Sequence, residues 1–216
     1  MWIAAIVAGL LTGLATGPVL RWLPEPADGA EANKRSYRSL ASLPFAAAVT
    51  ACAIVAGVTL VLRLDPVALI VWAPLATVGV LLGAIDAATT WLPLRITQVL
   101  WVTTLAAGAL QIWWTSPAER GQLALRMALG ALAVGVFFWA FWWLVGGLGF
   151  GDVRLAPVLG AALASVSWQA VMGGLLIGTA TGAVFGLVRH LSGRHGPFPY
   201  GPALLLGAFL GVALFP

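Results

Sequence analysis

The sequence predicts an all-α, polytopic transmembrane helix bundle with about eight spans, and with six or seven spans as alternatives. Apolar residues make up 61% of the 216-residue chain and charged residues only 8%, against about 25% charged residues in an ordinary soluble domain. Such a composition cannot cover a water-facing surface. The apolar residues also fall in runs of about 20, the length that an α-helix needs to cross the hydrocarbon of a bilayer. We therefore expect the chain, residues 1–216, to form a single membrane domain.

Apolar runs separated by short polar or glycine- and proline-rich stretches give the predicted spans. They lie near 2–20, 41–62, 66–85, 96–114, 126–145, 154–166, 168–188 and 201–215. The sixth and eighth runs are short, and the sixth and seventh could form one broken element around residues 165–167. The first run has no basic segment before it and reaches Leu20. We therefore expect it to remain as a helix rather than to be removed as a signal peptide.

The basic residues predict the orientation, because lysine and arginine concentrate in the cytoplasmic loops of membrane proteins. With the N-terminus outside, the inward loops carry Arg21, Lys34, Arg35, Arg38, Arg95, Arg154, Arg189 and Arg194, and the outward loops carry Arg63, Arg120 and Arg126. The hydrophilic stretch 24–40 then becomes a cytoplasmic linker, and its proline, glycine and alternating charge predict mobility. Because the basic residues are scattered among loops rather than clustered on one face, no nucleic-acid partner is expected.

Two acidic residues lie where apolar runs end, and the functional prediction depends on them. Asp152 follows a glycine-rich stretch at 146–151, and Asp86 lies near the end of the third run. The other five acidic residues fall in loops. A charged side chain costs about 2.5–3.5 kcal/mol at the centre of a membrane helix, and less near the interface, so an acid at membrane depth indicates a functional site. In the predicted orientation both acids lie on the cytoplasmic side.

Two carboxyl groups that are brought together cannot both ionise cheaply, so the pair shares a proton. One carboxylate can then act as general base on a water molecule while the other group donates a proton. This is the chemistry of an aspartic protease, which needs no cofactor. No metal site is expected either, because Cys52 is the single cysteine and the loop that holds His190 and His195 offers no further ligands.

The same stretches resemble the type IV prepilin peptidases. Residues 149–155, Gly-Phe-Gly-Asp-Val-Arg-Leu, resemble the family signature G-x-G-D-[VIL]-[KR]-L. The segment in which Pro93 follows Asp86 by seven positions is similar to that around the family's first catalytic aspartate. Residues 197–204 are similar to its late F-G-P-x-L element. The resemblance covers about residues 80–210, which we expect to form the peptidase core.

This resemblance implies a multi-pass protease of the inner (plasma) membrane that cuts the leader peptide from type IV prepilins or pseudopilins on the cytoplasmic side. The catalytic aspartates of the family map onto Asp86 and Asp152. The residues expected to support the substrate and the catalytic loop are Gly149, Phe150, Gly151, Arg154 and Pro93. The implied partners are the leader peptide and membrane lipids, which Arg95 and Arg154 could contact. No oligomeric state is predicted.

The chain departs from the larger bacterial members of this family in the segment 24–40. Those members carry a long insertion with two Cys-x-x-Cys pairs, associated with a second, N-methylating activity, and this chain has no such pairs. We therefore expect a peptidase without N-methyltransferase activity. Other interpretations stay open: a proton-coupled transporter with the acids in a relay, an assembly subunit without chemistry, or a preflagellin-type peptidase. A presenilin-like protease normally has tyrosine before its first aspartate, where this chain has Ile85.

Two spans carry glycines at four-residue spacing. They are Gly9, Gly13 and Gly17 in the first span and Gly174, Gly178, Gly182 and Gly186 in the seventh. Small residues along one face let two membrane helices approach closely. We expect both stripes to serve packing. Trp91, between Asp86 and Pro93, could shape the substrate entrance.

Overall fold

The computed structural model describes residues 1–25, 35–145, 148–193 and 198–216. These residues form eight α-helices and no β-strand, which confirms the predicted all-α fold. The helices are α1 (Trp2–Trp22), α2 (Leu43–Arg63), α3 (Leu69–Thr89), α4 (Leu94–Trp114), α5 (Arg120–Val145), α6 (Phe150–Val166), α7 (Trp168–Leu191) and α8 (Gly201–Leu214). Within the described residues, six helices (α1–α5 and α7) are long and apolar enough to cross a membrane, and α6 and α8 are shorter.

The two helices that carry the acids lie at the centre of the bundle. In α3, 56% of the apolar window is buried, against 22–33% in the other long helices, and 11 of the 17 residues of α6 are buried. The outer helices expose large apolar side chains such as Leu14, Leu43 and Val102, which suits contact with lipid rather than water. Asp86 and Asp152 therefore both lie on helices, α3 and α6, that are largely buried inside the bundle.

Helix α3 changes its hydrogen-bond register before it reaches Asp86. Residues Leu75–Gly79 form a π-helical turn directly after Pro74. Proline has no backbone N–H and cannot continue the ordinary ladder, and one-turn π segments are frequent at functional sites. The turn sets the rotation of Val80–Thr89 about the helix axis, and hence the face on which Asp86 lies.

Helix α6 begins at Phe150, four residues earlier than predicted, so Asp152 lies in a helix and not in a glycine-rich loop. The physical reason is the backbone of Gly149, which is extended (φ −67°, ψ 137°) and forms the N-cap. An acidic side chain in the first turn of a helix is stabilised by the unpaired N–H groups there. Gly146 and Gly147 of the predicted loop lie outside the described residues.

Helices α6 and α7 are separate elements rather than one broken helix. Ser167 between them has an extended backbone (φ −161°, ψ 162°) and accepts the Ala170 N–H on its hydroxyl at 3.0 Å. Serine in this conformation is a preferred N-cap. Ser167 therefore ends one helix and starts the next.

The glycine stripes serve packing, as predicted, at each glycine except Gly17. A Cβ atom built on Gly207 of α8 would lie 2.5 Å from the Gly174 carbonyl oxygen and 2.5 Å from the Gly178 Cα. In α1, Gly9 and Gly13 face side chains of α2, whereas Gly17 faces open space. Backbone contact along α7 thus determines how closely α8 approaches.

Gly207→Ala is expected to destabilise the protein by about 1–3 kcal/mol, the usual cost of overpacking, because backbone atoms of α7 cannot rotate away from a new methyl group. Thermal unfolding of the purified protein in detergent measures the effect. Gly121→Ala is the matched control, since no heavy atom lies within 4 Å of its Cβ position. Equal unfolding temperatures for both variants would contradict the close packing of α7 and α8.

The two described ends of the segment 24–40 pack against the bundle. The Glu25 carboxylate accepts the backbone N–H groups of Tyr37 and Arg38, both at 3.1 Å. Tyr37 and Leu40 are each only 4% exposed, and a 3-10 turn, Arg38–Leu40, leads into α2. A buried ring and a carboxylate therefore anchor these two ends of the predicted linker, and its mobility stays a prediction. Residues 26–34 of the predicted linker, including Lys34, lie outside the described residues.

Candidate active site

A cavity of about 1110 Å³ opens at the end of the bundle where the two acids lie. Asp86 and Asp152 both line it, and they are 3% and 4% exposed. The five supporting residues predicted from the sequence also line it: Pro93, Gly149, Phe150, Gly151 and Arg154. The structure therefore brings all seven predicted site residues to one cavity, while their roles stay predictions.

The N-terminus of α8 holds the Asp86 carboxyl group. The backbone N–H of Gly201, the first residue of α8, donates a hydrogen bond to Asp86 Oδ2 at 2.9 Å. Helix N-termini carry unpaired N–H groups and a partial positive charge, and they favour a carboxylate. Gly201 is a site residue that the sequence did not single out, although it lies within the stretch that resembles the late F-G-P-x-L element.

The two carboxyl groups meet beside Gly201. A Cβ atom built on Gly201 would lie 2.9 Å from Asp86 Oδ2 and 3.6 Å from Asp152 Oδ1. The separation of the two oxygens can be no greater than the sum of these distances. The two carboxyl groups therefore border one small space, as paired acid–base chemistry on a single water molecule or carbonyl group requires.

The two glycines of the G-x-G-D stretch have different steric roles. A Cβ atom on Gly149 would lie 3.1 Å from Asp152 Oδ2, so the first glycine leaves room for the carboxyl group. A Cβ atom on Gly151 would lie 2.7 Å from Leu92 Cδ1 and 2.8 Å from Leu92 Cβ, so the second lets α6 approach the loop after α3. Both glycines therefore help to bring the two acid-bearing segments together.

One carboxyl oxygen of the pair is unpaired within the described residues. Asp152 Oδ1 is buried and finds no hydrogen-bond partner among the described residues. Buried polar atoms are nearly always paired, so an unpaired one needs a reason. The catalytic role predicted for Asp152, action on a substrate or on its attacking water, would supply that reason.

A strained residue turns the chain beneath the cavity. Thr90, which follows α3, has φ 59° and ψ 23°, and its N–H donates to the Asp86 carbonyl at 2.7 Å. A β-branched residue in this left-handed region is a genuine outlier, and such strain concentrates at functional sites. The turn folds Trp91, Leu92 and Pro93 back along the cavity wall.

Two exposed arginines lie on aromatic rings at the cavity rim. The Arg154 guanidinium lies 4.7 Å from the centre of the Phe150 ring, and that of Arg95 lies 4.9 Å from the Trp22 ring. The Trp101 Nε1–H also donates to the Arg154 carbonyl at 2.9 Å. Stacking of this kind orients a cation while leaving its N–H groups available. The lipid contact predicted for both arginines stays a prediction.

A tyrosine that the sequence did not predict completes the cavity wall. Tyr37 lines the cavity and contacts Trp91 edge to face, with ring centres 6.4 Å apart. Burial raises the pKa of Tyr37 to about 12, and the carboxylates of Glu25 and Asp86 add to this shift. The phenol therefore stays protonated, so its hydroxyl has a proton to donate.

The opposite end of the bundle holds a smaller polar cavity of about 470 Å³, lined by Asp65, Glu119, Arg126 and Ser165 among others.

Within the described residues, no group of three histidine, cysteine, aspartate or glutamate side chains could hold a metal ion. His195, one of the two histidines considered above as metal ligands, lies outside the described part of the chain.

Comparisons with known proteins identify the family. The sequence profile of the type IV leader peptidase family matches residues 73–187, a range that includes both acids and the G-x-G-D stretch. Two proteins of Burkholderia pseudomallei (strains 1026b and K96243), both named "Prepilin leader peptidase/N-methyltransferase", are 34% identical over 136 residues, which is 58% of this chain. A protein of the same name from Aeromonas salmonicida (strain A449) is 34% identical over 97 residues, or 43% of this chain.

The chain spans about 40% of the length of the two Burkholderia relatives and 32% of the Aeromonas relative. No solved structure gives a significant match. The family profile covers more than half of the chain. The chain therefore belongs to the type IV leader peptidase family.

Proposed function

We propose that this chain is an intramembrane aspartic endopeptidase that removes the leader peptide of type IV prepilins or pseudopilins. The observation that carries the proposal is the meeting of two buried carboxyl groups, Asp86 and Asp152, beside the Gly201 N–H in one cavity. Membership of the type IV leader peptidase family supports proteolysis, and the names of the relatives support a prepilin leader as the substrate.

In the proposed reaction the pair starts with one proton. The ionised carboxylate takes a proton from water as the water oxygen bonds to the scissile carbonyl carbon, and the protonated carboxyl donates its proton to the carbonyl oxygen. The product of this step is a neutral gem-diol. On its collapse the C–N bond breaks, one diol hydroxyl returns a proton to the second carboxylate, and the first carboxyl protonates the leaving amine. Water has then been added across the peptide bond, and the pair again holds one proton.

The substrate has to be presented as an extended segment, because a helix hides its peptide bonds in internal hydrogen bonds. The backbone at Gly149 is exposed and extended, and its carbonyl accepts the Asp152 N–H at 3.0 Å, so its N–H is the group suited to bind such a segment in the manner of an added strand. Apolar side chains of Leu92, Leu94, Phe150 and Phe198 line the same cavity, and they fit an apolar stretch of substrate.

We place the active site on the cytoplasmic face of the inner membrane. The excess of lysine and arginine in alternate loops supports this orientation, and the exposed Arg95 and Arg154 lie at the cavity rim. Guanidinium groups at this position suit the phosphates of lipid headgroups. Membrane lipids would then border the entrance to the site.

We also propose that N-methyltransferase activity is absent. The single cysteine, Cys52, lies within α2, and the segment 24–40 contains none. The family resemblance associates N-methylation with two Cys-x-x-Cys pairs in that segment. The absence of these cysteine pairs supports a protein with peptidase activity alone.

The position of the acids favours a peptidase over a proton-coupled transporter. Transporters bind their coupling ions near the middle of the bilayer. Asp86 lies in the last turn of α3 and Asp152 in the first turn of α6, at one end of the bundle. Both line the cavity at that end, where a leader that extends from the membrane would enter.

Cleavage of a prepilin peptide by the purified chain in lipid nanodiscs tests this function. We expect mass spectrometry to detect one cut, at the junction of leader and mature sequence, and no added methyl group when S-adenosylmethionine is supplied. A peptide with a scrambled junction and nanodiscs without the chain are the controls. Failure of the wild-type chain to cut would overturn the proposed function, and methylation of the product would overturn the single-activity proposal.

A further inference from the structure

One aromatic side chain of the cavity, Tyr37, has no part in the reaction described above. It is 4% exposed and lines the cavity together with both acids. Its hydroxyl is close enough to Glu25 and Asp86 for both carboxylates to act on it electrostatically. The described residues give this hydroxyl no hydrogen-bond partner. A buried phenol that lines the same cavity as both acids, and whose hydroxyl has no partner in the described part of the chain, is available to a substrate.

Contacts on both sides hold the Tyr37 ring in place. Trp91 packs against it edge to face, with an interplanar angle of 68°, a contact that uses the ring and not the hydroxyl. Glu25 binds the backbone on the other side, because its two carboxylate oxygens accept the N–H groups of Tyr37 and Arg38. Leu40, three residues on, is buried as well. The position of the ring is therefore determined by the fold and not by its hydroxyl.

We propose that Tyr37 is a further catalytic residue, whose hydroxyl donates a hydrogen bond to the scissile carbonyl oxygen as water adds to the carbonyl carbon. The inference rests on the proteolytic function proposed above. The phenol keeps its proton throughout: it polarises the carbonyl and stabilises the charge that develops on oxygen, while proton transfer stays with the two carboxyl groups. Donors placed where charge develops are among the strongest contributors to catalysis.

Glu25 then acts as a positioning residue. It does not touch the reacting atoms, but it fixes the backbone that carries Tyr37. This assigns a role to the only two described polar side chains that reach the cavity from the predicted linker, Glu25 and Tyr37. If Glu25 acts only through Tyr37, loss of the Glu25 carboxylate together with the Tyr37 hydroxyl lowers kcat no more than loss of the hydroxyl alone.

Tyr37→Phe tests the proposal, because it removes the hydroxyl and keeps the ring that packs on Trp91. We expect kcat for prepilin-peptide cleavage to fall about ten- to hundredfold, somewhat less than the loss of about 10²–10³ for an oxyanion-hole donor. KM, the unfolding temperature and the acid limb of the pH–rate profile should not change. Glu25→Ala should lower kcat as well, and Glu25→Ala combined with Tyr37→Phe should match Tyr37→Phe alone.

Two matched controls remove comparable groups elsewhere. Ser36→Ala deletes a hydroxyl one position away, which contacts Ser39 and not the cavity. Glu119→Ala deletes an acid at the opposite end of the bundle, where it accepts the Ser116 hydroxyl at 2.9 Å. Both variants should retain the wild-type kcat.

Each other result overturns the inference. Wild-type kcat in Tyr37→Phe shows that the hydroxyl does not contact the reacting atoms. A lower unfolding temperature or a higher KM with unchanged kcat shows a structural role, and a shifted acid limb shows that the hydroxyl only tunes Asp86. If the wild-type chain cleaves and Tyr37→Phe cleaves equally well, only the role of Tyr37 fails. If the wild-type chain does not cleave, the proposed function fails, and the inference with it.

Discussion

Asparagine in place of Asp152 or Asp86 is expected to abolish leader cleavage while leaving the protein folded. Asparagine has nearly the shape of aspartate, but it can neither take a proton from water nor donate one to a carbonyl oxygen. General acid–base catalysis contributes about 10²–10⁴-fold to a rate, so each variant should lose at least that much. The double variant should be no worse than either single one, because the two acids act as a unit.

The same substitutions should not lower stability. Asp152 Oδ1 is buried without a hydrogen-bond partner among the described residues, and a second carboxyl group lies close by. A neutral amide removes the cost of burying two adjacent acids. The amide oxygen of asparagine at position 86 can still accept the Gly201 N–H. We therefore expect unfolding temperatures equal to or above that of the wild type, the usual trade-off when a catalytic group is removed.

Initial cleavage rates and thermal unfolding of the same preparations provide both measurements. Asp65→Asn is the matched control. Asp65 lies at the opposite end of the bundle, where its Oδ1 accepts the N–H groups of Val67 and Ala68 at 2.9 Å, and asparagine keeps that acceptor. The Asp65→Asn variant should cleave the prepilin peptide at the wild-type rate. Full activity of either active-site variant, or an equal loss in Asp65→Asn, would contradict an aspartyl pair.

The helix bundle and the two acids were predictable because the bilayer is a demanding solvent. Every charge in hydrocarbon is costly, so a chain with only 8% charged residues leaves few explanations for Asp86 and Asp152. Apolar runs of span length leave little freedom in fold class as well. These are local properties of the sequence.

The rest of the site depends on contacts between distant segments. Gly201 acts through a backbone N–H and through the absence of a side chain, and neither feature appears in an inventory of chemical groups. Glu25 and Tyr37 lie in a hydrophilic stretch that has the composition of a solvated linker. Thr90 adopts a left-handed conformation without the glycine or asparagine that normally marks one. Gly201, Glu25 and Tyr37 reach the acids or the cavity wall only through the packing of α8 and of the segment before α2.

Gly201→Ala is the second variant for which we expect a large effect, and it separates the geometry of the acids from their chemistry. The new methyl group would lie 2.9 Å from Asp86 Oδ2 and 3.6 Å from Asp152 Oδ1, so the Asp86 carboxyl must move by a few tenths of an ångström or more. Both acids remain present, and the alanine N–H can still donate. Since a misplacement of about 1 Å can cost about 10²-fold, we expect kcat to fall about ten- to hundredfold.

The stability of the Gly201→Ala variant should be equal to or greater than that of the wild type, although its activity falls. Gly201 is the first residue of α8 and does not have a positive φ, and alanine is favoured over glycine in a helix by up to about 1 kcal/mol. Gly79→Ala is the matched control, because it lies in the same helix as Asp86 and its Cβ would make only ordinary contacts of 3.5 Å with Leu205 and Leu75. A fully active Gly201→Ala would contradict the close approach of α8 to the acids. An equal loss in Gly79→Ala would show that α3 as a whole is sensitive to substitution. If Gly201→Ala cleaves more slowly but unfolds at the wild-type temperature or above, the space beside Gly201 is needed by the reacting groups and not by the fold.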